Sequence, residues 1–158
     1  MSTDVLFNGS YGWARMQPEE LTSTLTLATL KLRLLVKNHE IDALAFCGSS
    51  GSAIAFHLAI LIKIPLIYVR KEKEQSHSIN TVECNTDRII RNYLIVDDLV
   101  FSGDTANYII DSICEYAASV RKLRGSHQPI PECKGIFLYS DTATRTFSYD
   151  GKKVPVFQ

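Results

Sequence analysis

Short apolar segments alternate with longer amphipathic segments along most of this chain. Four runs have the length and apolar composition of buried strands: residues 41–47, 66–69, 93–96 and 135–139. Three stretches repeat apolar residues at helical spacing: residues 18–37, 53–61 and 106–120. Strands that alternate with helices predict an α/β fold, a doubly wound and mainly parallel sheet with helices on both faces.

Three loops leave the carboxyl ends of the predicted strands: residues 48–52, 70–87 and 97–105. Ligands of such folds sit beyond these strand ends, so we expect a binding site there. Residues 70–87 are polar and without periodicity, which predicts a long, mobile loop. Near the C-terminus, Asp150-Gly151 separates residues 146–149 from residues 154–157 and predicts a hairpin.

Composition narrows the class of protein. The chain has 158 residues, 46% of them hydrophobic, and we expect one domain spanning residues 1–158. Seventeen basic residues balance 17 acidic ones, so we expect no nucleic-acid partner, and any anionic ligand should be small.

The four cysteines show no zinc or disulfide spacing. The chain begins without a secretory signal pattern, and its longest apolar stretch, residues 54–64, is too short to span a membrane. We therefore expect a cytoplasmic protein with no membrane partner.

The segment with the most informative chemistry is Leu94–Thr105, with the sequence LIVDDLVFSGDT, which joins a predicted strand to a predicted helix. Its two acids, Asp97 and Asp98, are costly at the end of a buried strand unless they meet cations or sugar hydroxyls. The Ser102–Thr105 turn opens the helix, so its free amides and the helix dipole favour a phosphate monoester. Together these features suit a ribose 5-phosphate. A helix cap beside a solvated acid would give the same residues a purely structural role.

This segment resembles the signature of the type I phosphoribosyltransferases, which bind 5-phosphoribosyl pyrophosphate (PRPP). That signature is an apolar strand, two acids, two apolar residues and a Ser/Thr-Gly-x-Thr loop. Two other features follow in the family's order: Gly48–Gly51 looks like its pyrophosphate loop, and Val69–Ser78 looks like its flexible catalytic loop. The resemblance covers a core of about residues 41–140. The N- and C-terminal segments are left as candidates for a hood over the base or for dimer contacts.

The resemblance implies a role for each matching residue. The ribose hydroxyls would be held, directly or through Mg²⁺, by Asp97 and Asp98. The 5-phosphate would be wrapped by Ser102, Gly103, Asp104 and Thr105. The pyrophosphate would be bound, through backbone amides, by Ser49, Ser50 and Gly51. The departing pyrophosphate would be covered by Arg70, Lys71, Lys73 and His77. Of these, the resemblance implies a catalytic contribution from five: Lys71, Lys73, His77, Asp97 and Asp98.

Two positions depart from the family pattern. Phe101 stands where adenine-type members have a small residue and hypoxanthine-guanine-type members have an acid, so we do not expect a standard 6-oxopurine enzyme. Phe101 is either a hydrophobic plug or a stacking surface near the base. Asp104 stands where glycine or lysine is commoner, and its charge disfavours a bound phosphate unless the side chain turns away or caps the helix.

These observations leave two main function classes open. In the first, the chain transfers the phosphoribosyl group of PRPP to a nitrogenous base with release of pyrophosphate, in nucleotide salvage or synthesis. In the second, it is a PRPP or nucleotide sensor of the same fold without turnover. A third reading is an unrelated doubly wound domain with an incidental Asp-Asp turn.

The family resemblance also implies a homodimer. The sequence contains no G-x-x-x-x-G-K-[ST] or G-x-G-x-x-G motif, which argues against P-loop and dinucleotide-binding proteins.

Overall fold

A computed structural model of the protein describes residues 13–72, 74, 80–125, 127–140 and 146–158. Its elements follow in chain order: a 3₁₀ helix at Trp13–Arg15, then α1 (Pro18–Asn38), β1 (Ala43–Cys47), α2 (Gly48–Ile62), β2 (Leu66–Val69), β3 (Val82–Cys84), β4 (Asn92–Asp97), α3 (Asp104–Arg124), β5 (Glu132–Leu138), β6 (Phe147–Tyr149), β7 (Lys152–Val154) and β8 (Val156–Phe157).

In the described part of the chain, six strands form the main sheet in the order β3-β2-β1-β4-β5-β8. The neighbouring strands run parallel except for β3, which pairs antiparallel with β2 at the edge. The central strand β1 pairs on both sides, so that Ala45 lies opposite Ile67 of β2 and Ile95 of β4. The structure therefore confirms the prediction of a doubly wound, mainly parallel α/β fold.

Helices cover both faces of the sheet because successive strand side chains point in opposite directions. On one face, Leu44 and Phe46 of β1 pack in a cluster with residues of α1 and α2, including Leu32 and Leu58. On the other face, Ala45 of β1 packs in a cluster with residues of α3. Strands buried on both faces need apolar residues at every position, which explains the uninterrupted apolar runs in the sequence.

Three elements differ from the sequence-based prediction. The helix expected at residues 53–61 begins earlier, at Gly48, so residues 48–52 form its first turns instead of a loop. The segment 70–87, expected to be a loop throughout, contains the short edge strand β3. The C-terminal hairpin is present, but its strands are β6 and β7, and Val156–Phe157 instead joins the main sheet beside β5. In each case a contact distant in sequence determines the local structure.

Candidate functional site

The carboxyl ends of three adjacent strands are connected by side-chain hydrogen bonds. Ser50, in the first turn of α2 after β1, donates from Oγ to Oδ1 of Asp97 at the end of β4, over 2.8 Å. Tyr139, which follows β5, donates from its hydroxyl to the backbone carbonyl of Ser50, also over 2.8 Å. Ser140 donates from Oγ to the backbone carbonyl of Asp98. The end of β4 is thus held from both sides.

A cavity of about 380 Å³ lies directly beyond β4. Its lining includes nine residues that the sequence analysis assigned to the site: Ser50, Lys71, Asp97, Asp98, Phe101, Ser102, Gly103, Asp104 and Thr105. The volume suits a small ligand. The structure therefore brings together residues from three segments that are far apart in the sequence.

The two acids of this cavity are buried, with Asp97 8% exposed and Asp98 5% exposed. The pKa of Asp97 is raised to about 6, chiefly because burial disfavours the charged carboxylate. The neighbouring charge of Asp98 contributes to this increase, and hydrogen bonds from Ser50 and from the Asp98 amide oppose it. Desolvation disfavours the charged form of a carboxyl group. The pair is therefore in an environment that a cation or a hydroxyl donor would stabilise.

The turn between β4 and α3 is shaped by Gly103. Its φ of +86° lies in the left-handed region, and a Cβ added there would lie 2.8 Å from Cε2 of Phe147. Phe147 belongs to β6, so the C-terminal hairpin packs directly against this turn. Ser102 donates from Oγ to the carboxylate of Asp104 over 2.7 Å. The Ser102 hydroxyl hydrogen is therefore used in a bond within the turn.

Phe101 is 94% exposed. A side chain this exposed fills no space in the core. Of the two roles that the sequence left open for Phe101, the structure therefore disagrees with the hydrophobic plug. Its ring lines the cavity and is free of packing constraints that would prevent it from stacking on a planar ligand. Thr105 is also exposed, at the start of α3.

The segment Gly48–Gly51, which was expected to form a pyrophosphate loop, is the first turn of α2. Within it, Gly51 is buried where α2 crosses the sheet. A Cβ at this position would lie 2.8 Å from Cβ of Phe46 and 3.0 Å from the carbonyl oxygen of Val96. Gly51 therefore serves close packing, and this placement lends no support to a ligand contact there. Ser49, by contrast, is exposed and lines a neighbouring cavity of about 550 Å³.

The segment after β2 contributes one of its cations to the cavity. Lys71 lines both this cavity and its neighbour, and a Cβ added at Gly48 would lie 2.5 Å from Cε of Lys71. Arg70 is engaged elsewhere, because its guanidinium forms a 2.9 Å ion pair with Glu83 of β3. Lys73 and His77, which the sequence analysis included in the site, lie outside the described residues.

Sequence reasoning missed four residues that support the site. Tyr139 and Ser140 were overlooked because the loop after β5 was not counted among the strand ends, although the predicted strand 135–139 ends there. Tyr68 and Glu74 were also missed. The Tyr68 hydroxyl donates to the Glu74 carboxylate, which also accepts from the backbone amide of Lys71. These bonds hold the backbone beside Lys71.

Among the described residues, no group of three or more His, Cys, Asp or Glu side chains is arranged to hold a metal ion. In the same part of the chain, no helix is long and apolar enough to cross a membrane.

The fold is shared with solved phosphoribosyltransferases. The adenine phosphoribosyltransferase of Saccharomyces cerevisiae, solved with an iminoaltritol bisphosphate and adenine, is 18% identical, with a TM-score of 0.56 over 89% of this chain and 79% of that chain. Another adenine phosphoribosyltransferase structure is also 18% identical, with a TM-score of 0.56 over 89% and 80%. The orotate phosphoribosyltransferase of Aeropyrum pernix is 18% identical, with a TM-score of 0.47, and this chain covers 59% of its length. No family model and no curated protein matches the sequence. The chain therefore has the fold of the phosphoribosyltransferases.

Proposed function

We propose that this chain is a phosphoribosyltransferase that binds PRPP in the 380 Å³ cavity and transfers its phosphoribosyl group to a nitrogenous base. One observation carries the proposal: two buried acids, a helix N-terminus and a lysine from a separate segment converge on a single small cavity. Each group recognises a different part of PRPP. The acids suit the ribose hydroxyls, the helix N-terminus suits the 5-phosphate, and the lysine suits the pyrophosphate.

The contacts proposed for the described residues follow from their positions around the cavity. Asp97 and Asp98 accept hydrogen bonds from the ribose hydroxyls. Thr105 and the backbone amides that open α3 bind the 5-phosphate, with Gly103 keeping the turn compact. Lys71 covers the pyrophosphate. For Lys73 and His77, which lie outside the described residues, the same role is proposed from the family resemblance alone. We also propose that the C-terminal hairpin forms the hood over the base, since Phe147 packs against Gly103 in the turn between β4 and α3.

Charge drives the proposed chemistry. As the bond from C1 of the ribose to pyrophosphate breaks, negative charge grows on the leaving group and positive charge grows on the sugar. Lys71 stabilises the first, and the two carboxylates stabilise the second. A nitrogen of the base forms the new bond to C1 as the bond from C1 to pyrophosphate breaks, and the electron pair of that bond leaves with pyrophosphate. The proton of the base nitrogen passes to the departing pyrophosphate, so phosphoribosylated base and protonated pyrophosphate are the products. Exclusion of water by the covering segments protects the reactive sugar from hydrolysis.

The residues fit a Mg²⁺ ion that arrives bound to PRPP. Asp97 and Asp98 are both buried, and a nearby divalent cation would offset the cost of burying their charges. Oxygen ligands are those that Mg²⁺ prefers. Asp97 and Asp98 would face the ion, directly or through water. When bound, Mg²⁺ neutralises charge on the leaving pyrophosphate.

A phosphorus NMR time course of PRPP and Mg²⁺ with the protein and a pool of nucleobases tests the proposal. We expect a pyrophosphate signal that grows only when a base is present, and dividing the pool then identifies the acceptor. PRPP resonances that shift or broaden without turnover would instead indicate a sensor that retains the pocket. A spectrum identical to that without protein would exclude PRPP as a ligand.

The lysine variant Lys71→Ala separates catalysis from folding. We expect turnover to fall roughly a hundredfold or more, since an electrostatic contact to a developing charge is worth several kcal/mol. Lys37→Ala is the matched control, because Lys37 lies in the last turn of α1, away from the cavity lining. Equal turnover in both variants would contradict the role of Lys71.

We further propose a cytoplasmic homodimer. On α1, three leucines at helical spacing remain 54–64% exposed: Leu27, Leu30 and Leu34. An exposed apolar stripe of this kind favours burial against a second copy of the chain. All four cysteines are free thiols, as in a reducing compartment. Sedimentation velocity tests the assembly: we expect a dimer for the wild type and a monomer for Leu30→Glu, and a monomeric wild type would refute it.

A further inference from the structure

Another cavity lies near the amino ends of β4 and β5, whereas the candidate site lies at the carboxyl ends of the strands. It has a volume of about 390 Å³ and is enclosed by the C-terminal half of α3, by β3 with the segment that follows it, and by residues 128–131 before β5. We call it the arginine groove. Ile90 in its lining precedes β4, whereas Asp97 ends β4. Six residues of strand rise about 20 Å, so the two sites are separate.

Three guanidinium groups and one carboxylate line the arginine groove. Arg121 and Arg124 lie in the last turn of α3, and Arg88 and Asp87 lie in the segment between β3 and β4. None of the three arginines forms an ion pair with another described residue. Basic residues in the last turn of a helix complement the helix dipole, which explains Arg121 and Arg124 but not Arg88. Two segments distant in sequence thus bring positive charge to one cavity in a chain whose net charge is zero.

The floor of the arginine groove is apolar. Buried Ile67, Val82 and Ile113 form part of it, and the ring of Tyr116, which is 40% exposed, lies in the same lining with Pro129. Tyrosine and proline rings offer flat faces against which a planar group can stack. The cavity therefore combines a surface for a flat ring with donors for an anion.

From these observations we propose that the arginine groove binds a small organic phosphate that carries a planar ring, of which a nucleoside monophosphate is the simplest form. Guanidinium groups bind phosphate oxygens through paired hydrogen bonds, and Arg88, Arg121 and Arg124 supply them. The ring lies on the apolar floor beside Tyr116. The cavity volume falls within the range of small-molecule sites.

Cys84 offers a local measurement that does not depend on catalysis. It is an exposed free thiol in the lining of the arginine groove. The full-length protein is alkylated with N-ethylmaleimide at increasing concentrations of adenosine 5′-monophosphate, and mass spectrometry follows the peptide that contains Cys84. We expect the nucleotide to slow this alkylation with a saturable dependence. Adenosine has the ring without the phosphate, and inorganic phosphate lacks the ring. Each should therefore protect Cys84 only at a much higher concentration.

Arginine variants decide whether the protection arises in the groove. Arg121→Gln and Arg124→Gln should each raise the half-protecting nucleotide concentration about tenfold, as loss of a charge-assisted hydrogen bond predicts. Lys122→Ala is the matched control, because Lys122 lies on the same turn but outside the groove lining. Absence of protection, or protection that both arginine variants retain, would overturn the proposal. Equal protection by inorganic phosphate would overturn the part played by the ring. Neither result affects the transferase proposal, since its residues lie at the carboxyl ends of the strands.

Discussion

Replacement of Gly103 by alanine tests whether the turn between β4 and α3 depends on the lack of a side chain at this position. The φ of +86° puts an alanine in the left-handed region, which costs about 1–2 kcal/mol. The added Cβ would also lie 2.8 Å from Cε2 and 3.1 Å from Cδ2 of Phe147, whose ring is 8% exposed and has little room to move. Overpacking of this kind costs about 1–3 kcal/mol. We therefore expect the free energy of unfolding to fall by about 2–5 kcal/mol. This is a large share of the roughly 5–15 kcal/mol by which a typical domain is stable.

Urea denaturation followed by circular dichroism measures this loss. Gly125→Ala is the matched control, because Gly125 also has a positive φ, +60°, but nothing lies within 4 Å of an added Cβ. Gly125→Ala should therefore lose only the backbone part, about 1–2 kcal/mol. The difference between the two variants isolates the contact with Phe147.

A second substitution at Phe147 checks the cause. In the double variant Gly103→Ala with Phe147→Leu, the smaller side chain leaves room for the new methyl group, so the combined loss should be smaller than the sum of the two single losses. Equal losses for Gly103→Ala and Gly125→Ala, or strict additivity in the double variant, would refute the close contact between the hairpin and the turn.

Three further predictions concern the acids and the aromatic ring of the site. Asp104→Asn should strengthen PRPP binding about three- to tenfold by isothermal titration calorimetry, because it removes a negative charge beside the phosphate; unchanged or weaker binding would contradict this. Because the folded-state pKa of Asp97 is raised from 3.8 to about 6, its contribution to stability declines as pH rises from 4 to 6. Asp97→Asn should therefore become more stable relative to the wild type over that interval in urea titrations, and a constant difference would argue against the raised pKa. Phe101→Ala should leave the free energy of unfolding within about 0.5 kcal/mol but raise the KM for the base, and an unchanged KM would remove Phe101 from the acceptor site.

The sheet and its helices could be predicted because burial on both faces leaves a signal in the sequence itself. The strands β1, β2, β4 and β5 are apolar runs, and α3 has an apolar stripe facing them, so local pattern and global fold agree. The apolar pattern of the strands also explains why part of the candidate site could be predicted. A polar residue at the end of a buried strand stands out against its surroundings, which is why Asp97 and Asp98 were identified.

The elements that were missed lack such a signal. β3 has three residues, of which Val82 is the buried one, and its structure comes from pairing with β2. The start of α2 reads as a loop because serine and glycine favour turns, yet Gly51 packs against Phe46 and Val96 only if the backbone is already helical there. Tertiary packing overrides local preference at both places.

The supporting hydrogen bonds could not be predicted either, and they change how the site is understood. The Asp97 carboxylate is held by Ser50, and Ser50 is in turn held by Tyr139, so strands β1, β4 and β5 are linked through the residue proposed to bind the ribose. A buried acid with a raised pKa is a cost to folding, and these bonds offset part of it before any ligand arrives. These bonds also fix the orientation of the Asp97 carboxylate. Under the proposed function, a sugar hydroxyl therefore binds with little rearrangement, because the fold that buries Asp97 has already positioned its carboxylate.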